Sequence, residues 1–312
     1  MINPILASSA RRRMRSLRTP ILITIYGAMI FAVGLGAAFG AFTSSTLSIF
    51  AMRQGVTAYA GMLAIQFALI LLITPAMTAG SIAGERERQT LDMLLVTNTG
   101  SLRIVAGKLL ESLGYVALLL VAALPTMCLT LITGGVTLAD VLTGALFLLV
   151  TAFAALSVGV FASAVFRRTV TATVMAYLIV FFIGVVTMVP LVLGVWNIGS
   201  NYDAMFSSTM ASSVAVIGGA DDPTSVGIGV NGFIYSPAMG LMALIADQTG
   251  LLKSTLMDYS YTLYRIYDYL DFSAIKWENM AFMAGAGLLL DLLAACFVRP
   301  REARMRRRSA KK

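Results

Sequence analysis

The sequence predicts an all-α membrane protein with six transmembrane helices, an N-terminal interfacial helix and an outer re-entrant segment before the last span. Three observations carry that prediction. Of 312 residues, 58% are hydrophobic and only 12% are charged, where soluble globular chains carry about 25% charged residues. Some six apolar runs reach the roughly 20 helical residues that a hydrocarbon core requires. The basic residues then divide unevenly. With six spans and an N-terminus inside, 19 of the 23 fall on the inner side, as the positive-inside rule demands. These clusters border apolar runs instead of forming a soluble patch, so they point to membrane lipids and not to nucleic acid.

Residues 1–20 carry RRRMRSLR and lack a short apolar core followed by a small-residue cleavage site, so they do not read as a signal peptide. They read as an interfacial helix on the inner side. Asn3 can cap it, Pro4 suits its first position, and Ile5, Leu6, Met14 and Leu17 oppose a basic face. The spans follow near 21–42, 58–80, 109–133, 138–165, 170–195 and 279–298, and 299–312 form a basic inner tail. The inner segments hold five, four, two and eight basic residues in turn, the four being Arg86, Arg88, Arg103 and Lys108 and the two Arg167 and Arg168.

The outer segment, 196–278, has three textures. A Ser-, Gly- and Asp-rich loop runs through Asp221 and Asp222. A short apolar run, Phe233 to Ala246, follows; its 14 residues extend only about 21 Å as a helix, too little for a core about 30 Å thick, so it is expected to enter and return. Counting it as a seventh span would also put the eight-charge tail outside. Last come Tyr259, Tyr261, Tyr264, Tyr267, Tyr269 and Trp277, read as a headgroup-level aromatic belt.

Several chemistries are excluded. There is no histidine, which rules out a His base, His-ligated zinc and HExxH chemistry. Cys128 and Cys296 lie in apolar runs and form neither a disulfide framework nor a metal cluster. Gly107-Lys108 resembles the end of a phosphate-binding loop, but the preceding Gly100 is seven residues before Gly107 and Leu109 follows the lysine. A P-loop needs five residues and Ser or Thr. The chain therefore has no ATP site or other cofactor of its own, no metal site, and no catalytic set that would make it an enzyme.

Gly36 and Gly40 form a GxxxG pattern, a candidate helix-packing face. Glu111 can pair with Lys108 at i, i+3 near the start of the third span. Asp291 lies seven residues before Val298, about 10 Å inside the last span. An intramembrane carboxylate is costly, so Asp291 is either functionally required or held by a structural partner such as Lys108.

The most strongly charged interval between apolar runs is Gly84 to Lys108, GERERQTLDMLLVTNTGSLRIVAGK. Its charges Glu85, Arg86, Glu87 and Arg88 precede Leu91, Leu94 and Leu95 at helical spacing, the pattern of an amphipathic helix at a membrane surface. The stretch SIAGERERQTLDMLLVTNTGSLRIVAGKLL resembles the signature region of type-2 ABC transporter permeases, and the leader NPILASSARRRMRS is similar to that family's interfacial helix. Gln89 stands where the family usually has Gly, and the Thr97-Asn98 region lacks the usual proline. The resemblance implies a permease subunit of an ATP-driven exporter in the plasma membrane, with both termini cytoplasmic. It further implies pairing with a second permease subunit and with ATP-binding subunits made from another chain. Within it, segment 81–108 would be the coupling helix contacting the ATPase, through Glu85, Arg86, Glu87, Arg88, Thr90 and Leu91, and the run after Pro237 the outer re-entrant segment. A reading from the residues alone also stays open, an ion-coupled secondary transporter built on Asp291.

Overall fold

In a computed structural model, residues 18–43, 48–89, 101–133, 136–186, 236–250 and 272–298 are described, and all the regular structure among them is helical. The elements are α1 (Arg18–Thr43), α2 (Ser48–Thr78), α3 (Ala83–Glu87), α4 (Ser101–Thr133), α5 (Leu138–Val165), α6 (Thr169–Phe181), which runs into a π-helical turn (Phe182–Val186), α7 (Pro237–Thr249) and α8 (Phe272–Val298). Of the interfacial helix expected over 1–20 only residues 18–20 are described, as the start of α1, and of the aromatic belt only Trp277, exposed in α8; the tyrosines and the basic tail lie outside the described residues.

Four helical stretches are long and apolar enough to cross a membrane: Gly55–Glu87, Ser101–Leu131, Leu138–Val165 and Phe272–Val298. Shorter apolar helices run over Thr24–Gly36 and Thr169–Gly184. Each of the six expected runs is helical over almost all of its described residues, and four of them reach spanning length and composition. The fifth was expected to reach 195, but its description ends at Val186. The starts of the third and last spans move outward by several residues, to Ser101 and Phe272. A hydropathy run ends at the first charges, whereas a helix continues through them as long as each amide finds its carbonyl.

The chain divides into two compact units, residues Met1–Leu178 with Ala284–Lys312, and Ile179–Met283. In the first, α2 packs against α1, α4 and α5, and α4 also packs against α1 and α5. Of the four spanning-length stretches, α5 is the most enclosed and α8 the least. Hydrophobic burial supplies little force between helices in lipid, so small residues that permit close approach decide which surfaces meet. A Cβ on Gly144 of α5 would stand 2.7 Å from Tyr59 Oη and 3.1 Å from Leu63 of α2. At the other end of the same contact, a Cβ on Gly159 would stand 2.0 Å from Thr78 Oγ1. Between these points Phe67 and Phe147 stack at 6.5 Å.

The helix ends are specified locally. Thr137 caps α5 in a capping box, accepting from Asp140 N while Asp140 accepts from Thr137 N. Tyr59 ties α2 to this end, donating to Asp140 O at 2.8 Å. Pro75 deprives α2 of an amide, and close to it Tyr177 of α6 donates its hydroxyl to Leu72 O at 2.7 Å. Ala176 of α6 completes a small buried cluster with Ala79 and Ala162.

In the second unit the short apolar run forms α7, shifted from the expected Phe233 to Ala246 to Pro237–Thr249. The shift follows the capping residues. Ser236 accepts from Met239 N, Pro237 takes the first helical position, and Gly250 ends the helix in the left-handed region at φ +59°. The first turns of α8 hold α7 at both ends: Asn279 Nδ2 donates to Ser236 O at 2.9 Å, and Lys276 pairs with Asp247. Ala243 packs on Ile275 and Phe272 between these bonds.

Candidate functional site

The segment that the sequence marked as one charged loop is built from three parts. Thr78 to Ile82 turn the chain out of α2, the five residues of α3 follow, and Ser101 to Lys108 are already the first turns of α4. Thr90 and Leu91 lie outside the described residues, as does most of the amphipathic stretch that contains them. The charges from Glu85 to Arg88 thus come after the turn that ends α2.

Short as it is, α3 is bonded to four other helices. Its own N-cap residue, Ile82, offers no side-chain acceptor, and the first amides of a helix have no intrahelical partner. Ser163 of α5 supplies one: its Oγ accepts from Ile82 N at 2.8 Å and Ala83 N at 2.9 Å. Ser163 is fully buried, as are Ile82 and Ala83. Glu85 reaches Lys108 of α4, with the ammonium 2.8 Å from its carboxylate. Arg86 Nη2 donates to Phe297 O in the last turn of α8 at 3.4 Å, a position where carbonyls lack helical donors and favour cations.

Glu87 accepts from Thr169 N at 3.1 Å and Thr169 Oγ1 at 2.8 Å, capping the start of α6 from another element. The Thr169 hydroxyl first, and then its amide, hold the Glu87 carboxyl below its ordinary value of 4.5. A carboxyl depressed in the fold stabilises fully above its unfolded value, and that contribution is lost as pH falls through the lower folded value. Glu87→Gln should therefore melt below the parent at pH 7. The gap should close progressively once the pH falls below 4.5, as followed by thermal unfolding in detergent across that range.

The sequence reading aimed Glu85, Arg86 and Glu87 at a partner chain; in the structure all three bond to helices of the same chain. Arg88 is exposed, as is Gln89, which takes φ +57°. That left-handed conformation costs a side-chain-bearing residue about 1–2 kcal/mol and suits glycine, the residue usual at this point of the resembling stretch. The sequence offers Glu111, three residues on, or Asp291 as a partner of Lys108; among the described residues Lys108 forms an ion pair with Glu85.

Asp291 instead accepts from Ser157 Oγ of α5 at 3.1 Å. One turn earlier, a Cβ on Gly287 would stand 2.6 Å from the Phe153 ring, so α8 lies close on α5 there. Gly36 is exposed with nothing within 4 Å of an added Cβ, and of Gly40 only the helical backbone is described. Among the described glycines of α1, Gly34 packs inside this unit: its Cβ would meet Met62 at 2.7 Å and Thr126 at 3.1 Å.

Sequence reasoning missed Ser163, Thr169 and Gly159. A small-xxx-small pattern, Gly159 to Ser163, was present as a signal of close helix packing. That Ser163 would cap a helix 80 residues away carried no local signal.

A family model described as ABC-2 family transporter protein matches residues 4–299. No curated protein matches the chain. The match covers nearly the whole length, and it falls on a helical chain with several stretches apolar enough to cross a membrane and one charged helix joined to four of its neighbours. The chain therefore belongs to the ABC-2 family of transporter proteins, as a multi-pass membrane permease of an ABC transporter.

Proposed function

We propose that this permease forms the translocation pathway of an ATP-driven exporter and receives work from a separate ATP-hydrolysing subunit through segment 81–108. The observation that carries this reading is the bonding of α3, through which a displacement of one short helix is felt by α4, α5, α6 and α8 together. A chain with no phosphate-binding loop of its own can take up such work only from a partner. In this reading the α3 end is cytoplasmic, as are both termini, and the chain crosses the plasma membrane six times. The 13 residues of α7, about 20 Å long, form an outer re-entrant helix. The pathway is completed by a second permease subunit, either another copy or a related chain.

The test is co-purification with an ABC ATP-binding subunit and ATP turnover by the reconstituted complex. Turnover that needs this chain supports the reading, and a chain that binds no such subunit refutes it. Orientation is checked with single cysteines at Ser213 and Ser309 in a background with Cys128 and Cys296 replaced by Ser. The two should label from opposite sides of intact cells.

The alternative, ion-coupled transport through Asp291, has less support, since its carboxylate joins α8 to the buried Ser157 of α5. An amide can keep that bond. Asp291→Asn is therefore expected to leave ATP-subunit binding and ATP turnover unchanged, whereas a gradient-driven transporter would lose proton uptake into liposomes.

A further inference from the structure

The two faces of α2 are built differently. Toward α5 it is bonded along its length: Tyr59 donates to Asp140 O, Phe67 stacks on Phe147, Thr78 lies against Gly159, and the amides that follow α2 are capped by Ser163. Toward α1 it is not. Gly34 of α1 lies on Met62 of α2, and from that contact buried residues recur at every fourth position, Ile30 and Tyr26 along α1, Gln66 and Ile70 along α2. Gln66 is fully buried and Tyr26 nearly so, yet neither the Gln66 amide nor the Tyr26 hydroxyl has a hydrogen-bond partner among the described residues.

Buried polar atoms are almost always paired, and an unpaired one is costly inside a bundle surrounded by hydrocarbon. The placement of these two groups shows how they can be paired. Only four residues separate α1 from α2, so the helices run antiparallel. Tyr26 and Gln66 therefore lie on the same side of the Gly34–Met62 contact, eight and four residues from it. At about 1.5 Å per residue their backbones stand up to about 6 Å apart along the helices. Side chains lean toward the N-terminus of their own helix, so in antiparallel neighbours these two lean apart.

Resting on the coupling role proposed above, we infer that the α1–α2 contact is a slip plane: in the transport cycle α2, moving with α5, shifts along α1 toward its α3 end and brings Gln66 to Tyr26. The arrangement seen here is the one in which both groups are unpaired. The direction follows from the register, since displacement toward α3 carries Gln66 past Ile30 toward Tyr26 and takes Met62 off Gly34. A pull on α3 acts along that line, because only the turn at 79–82 separates α3 from α2. Packed helices shift by discrete steps of about one turn, and α2 yields on the face whose bonds are unmet.

The experiment uses the full chain in complex with the ATP-hydrolysing subunit that accompanies it. Tyr26→Phe and Gln66→Met each remove unpaired polar atoms at nearly constant volume, so each should raise the melting temperature of the resting complex by about 2 °C or more. Each should also slow ATP turnover about threefold or more, because stabilising one of two arrangements takes population from the other. Gln66→Asn, which keeps an amide, should turn over faster than Gln66→Met. Lower melting temperatures for both variants show that the groups are already paired at rest, and higher ones with unchanged turnover show that the contact stays fixed; either result overturns the inference. Disulfide trapping reads the register directly, with Cys128 and Cys296 replaced by Ser. Ile30→Cys with Gln66→Cys should cross-link at rest, whereas Tyr26→Cys with Gln66→Cys should cross-link about fivefold faster or more during ATP turnover than at rest. Equal rates for the second pair in a complex that hydrolyses ATP overturn the slip and leave the coupling reading standing. A parent chain that carries no ATP-hydrolysing subunit removes the coupling reading and the slip with it.

Discussion

Ser163→Ala is expected to destabilise the permease by about 2–6 kcal/mol, because it leaves two buried amides without an acceptor at about 1–3 kcal/mol each. Those amides, Ile82 N and Ala83 N, begin a helix whose own capping residue contributes no side-chain bond. Water cannot replace the hydroxyl, since Ile82, Ala83 and Ser163 are all fully buried. The informative comparison is Thr74→Val. Thr74 is equally buried, but its hydroxyl donates to Ile70 O of its own helix at 2.8 Å. That carbonyl is the helical acceptor of the Thr74 amide in any case, so this loss should be close to neutral. Denaturation of both variants in detergent measures the difference. Equal, small effects would mean that the α3 amides find another acceptor and that Ser163 is not what holds the helix.

Gly159→Ala is expected to cost about 1–3 kcal/mol, and Gly159→Leu more, by forcing α2 and α5 apart. The added Cβ would lie 2.0 Å from Thr78 Oγ1, 3.1 Å from Thr78 Cβ and 3.4 Å from Ala79 N. The first atom can be removed, but the third is backbone and cannot swing away. Thr78→Ala in the Gly159→Ala background should therefore recover part of the loss. Thr78 Oγ1 only donates back to Thr74 O of its own helix at 3.1 Å, so its removal costs little. The cycle should show a favourable coupling of about 1 kcal/mol, within the range for residues in contact. Additive effects would mean that the helices relax apart freely. This contact lies immediately before the turn into α3, so a wedge here should also loosen the bonds that α3 makes.

The helical membrane character of the fold was legible because membrane helices announce themselves by length and hydropathy. Leu138–Val165 matches its expected span at both ends, since Thr137 with Asp140 marks its start and Arg167-Arg168 follows its end in the sequence. Boundaries failed where helix and hydrocarbon part company: α4 begins at Ser101, two turns before its apolar run, because hydrogen bonding and not hydropathy ends a helix. The short helix before the last span was legible as an element, and its start was written in Ser236-Pro237.

The charged stretch was legible as a place and not as an arrangement. Glu85, Arg86 and Glu87 stood out because charge between apolar runs is rare, yet nothing in the string distinguishes a carboxylate that faces a partner from one that caps a helix of its own chain. Composition, span lengths and the distribution of basic residues by themselves determined that this is a helical membrane protein, because the cost of exposing backbone and charge to hydrocarbon is paid residue by residue along the chain. Only the tertiary structure decided that Ser163 caps α3, that Glu87 caps α6, that Lys108 pairs with Glu85 and that Asp291 meets Ser157. Each of those bonds joins residues distant in sequence, and which donors meet which acceptors depends on how closely the helices approach, a distance set by small residues such as Gly159 and Gly287 that carry no chemistry of their own.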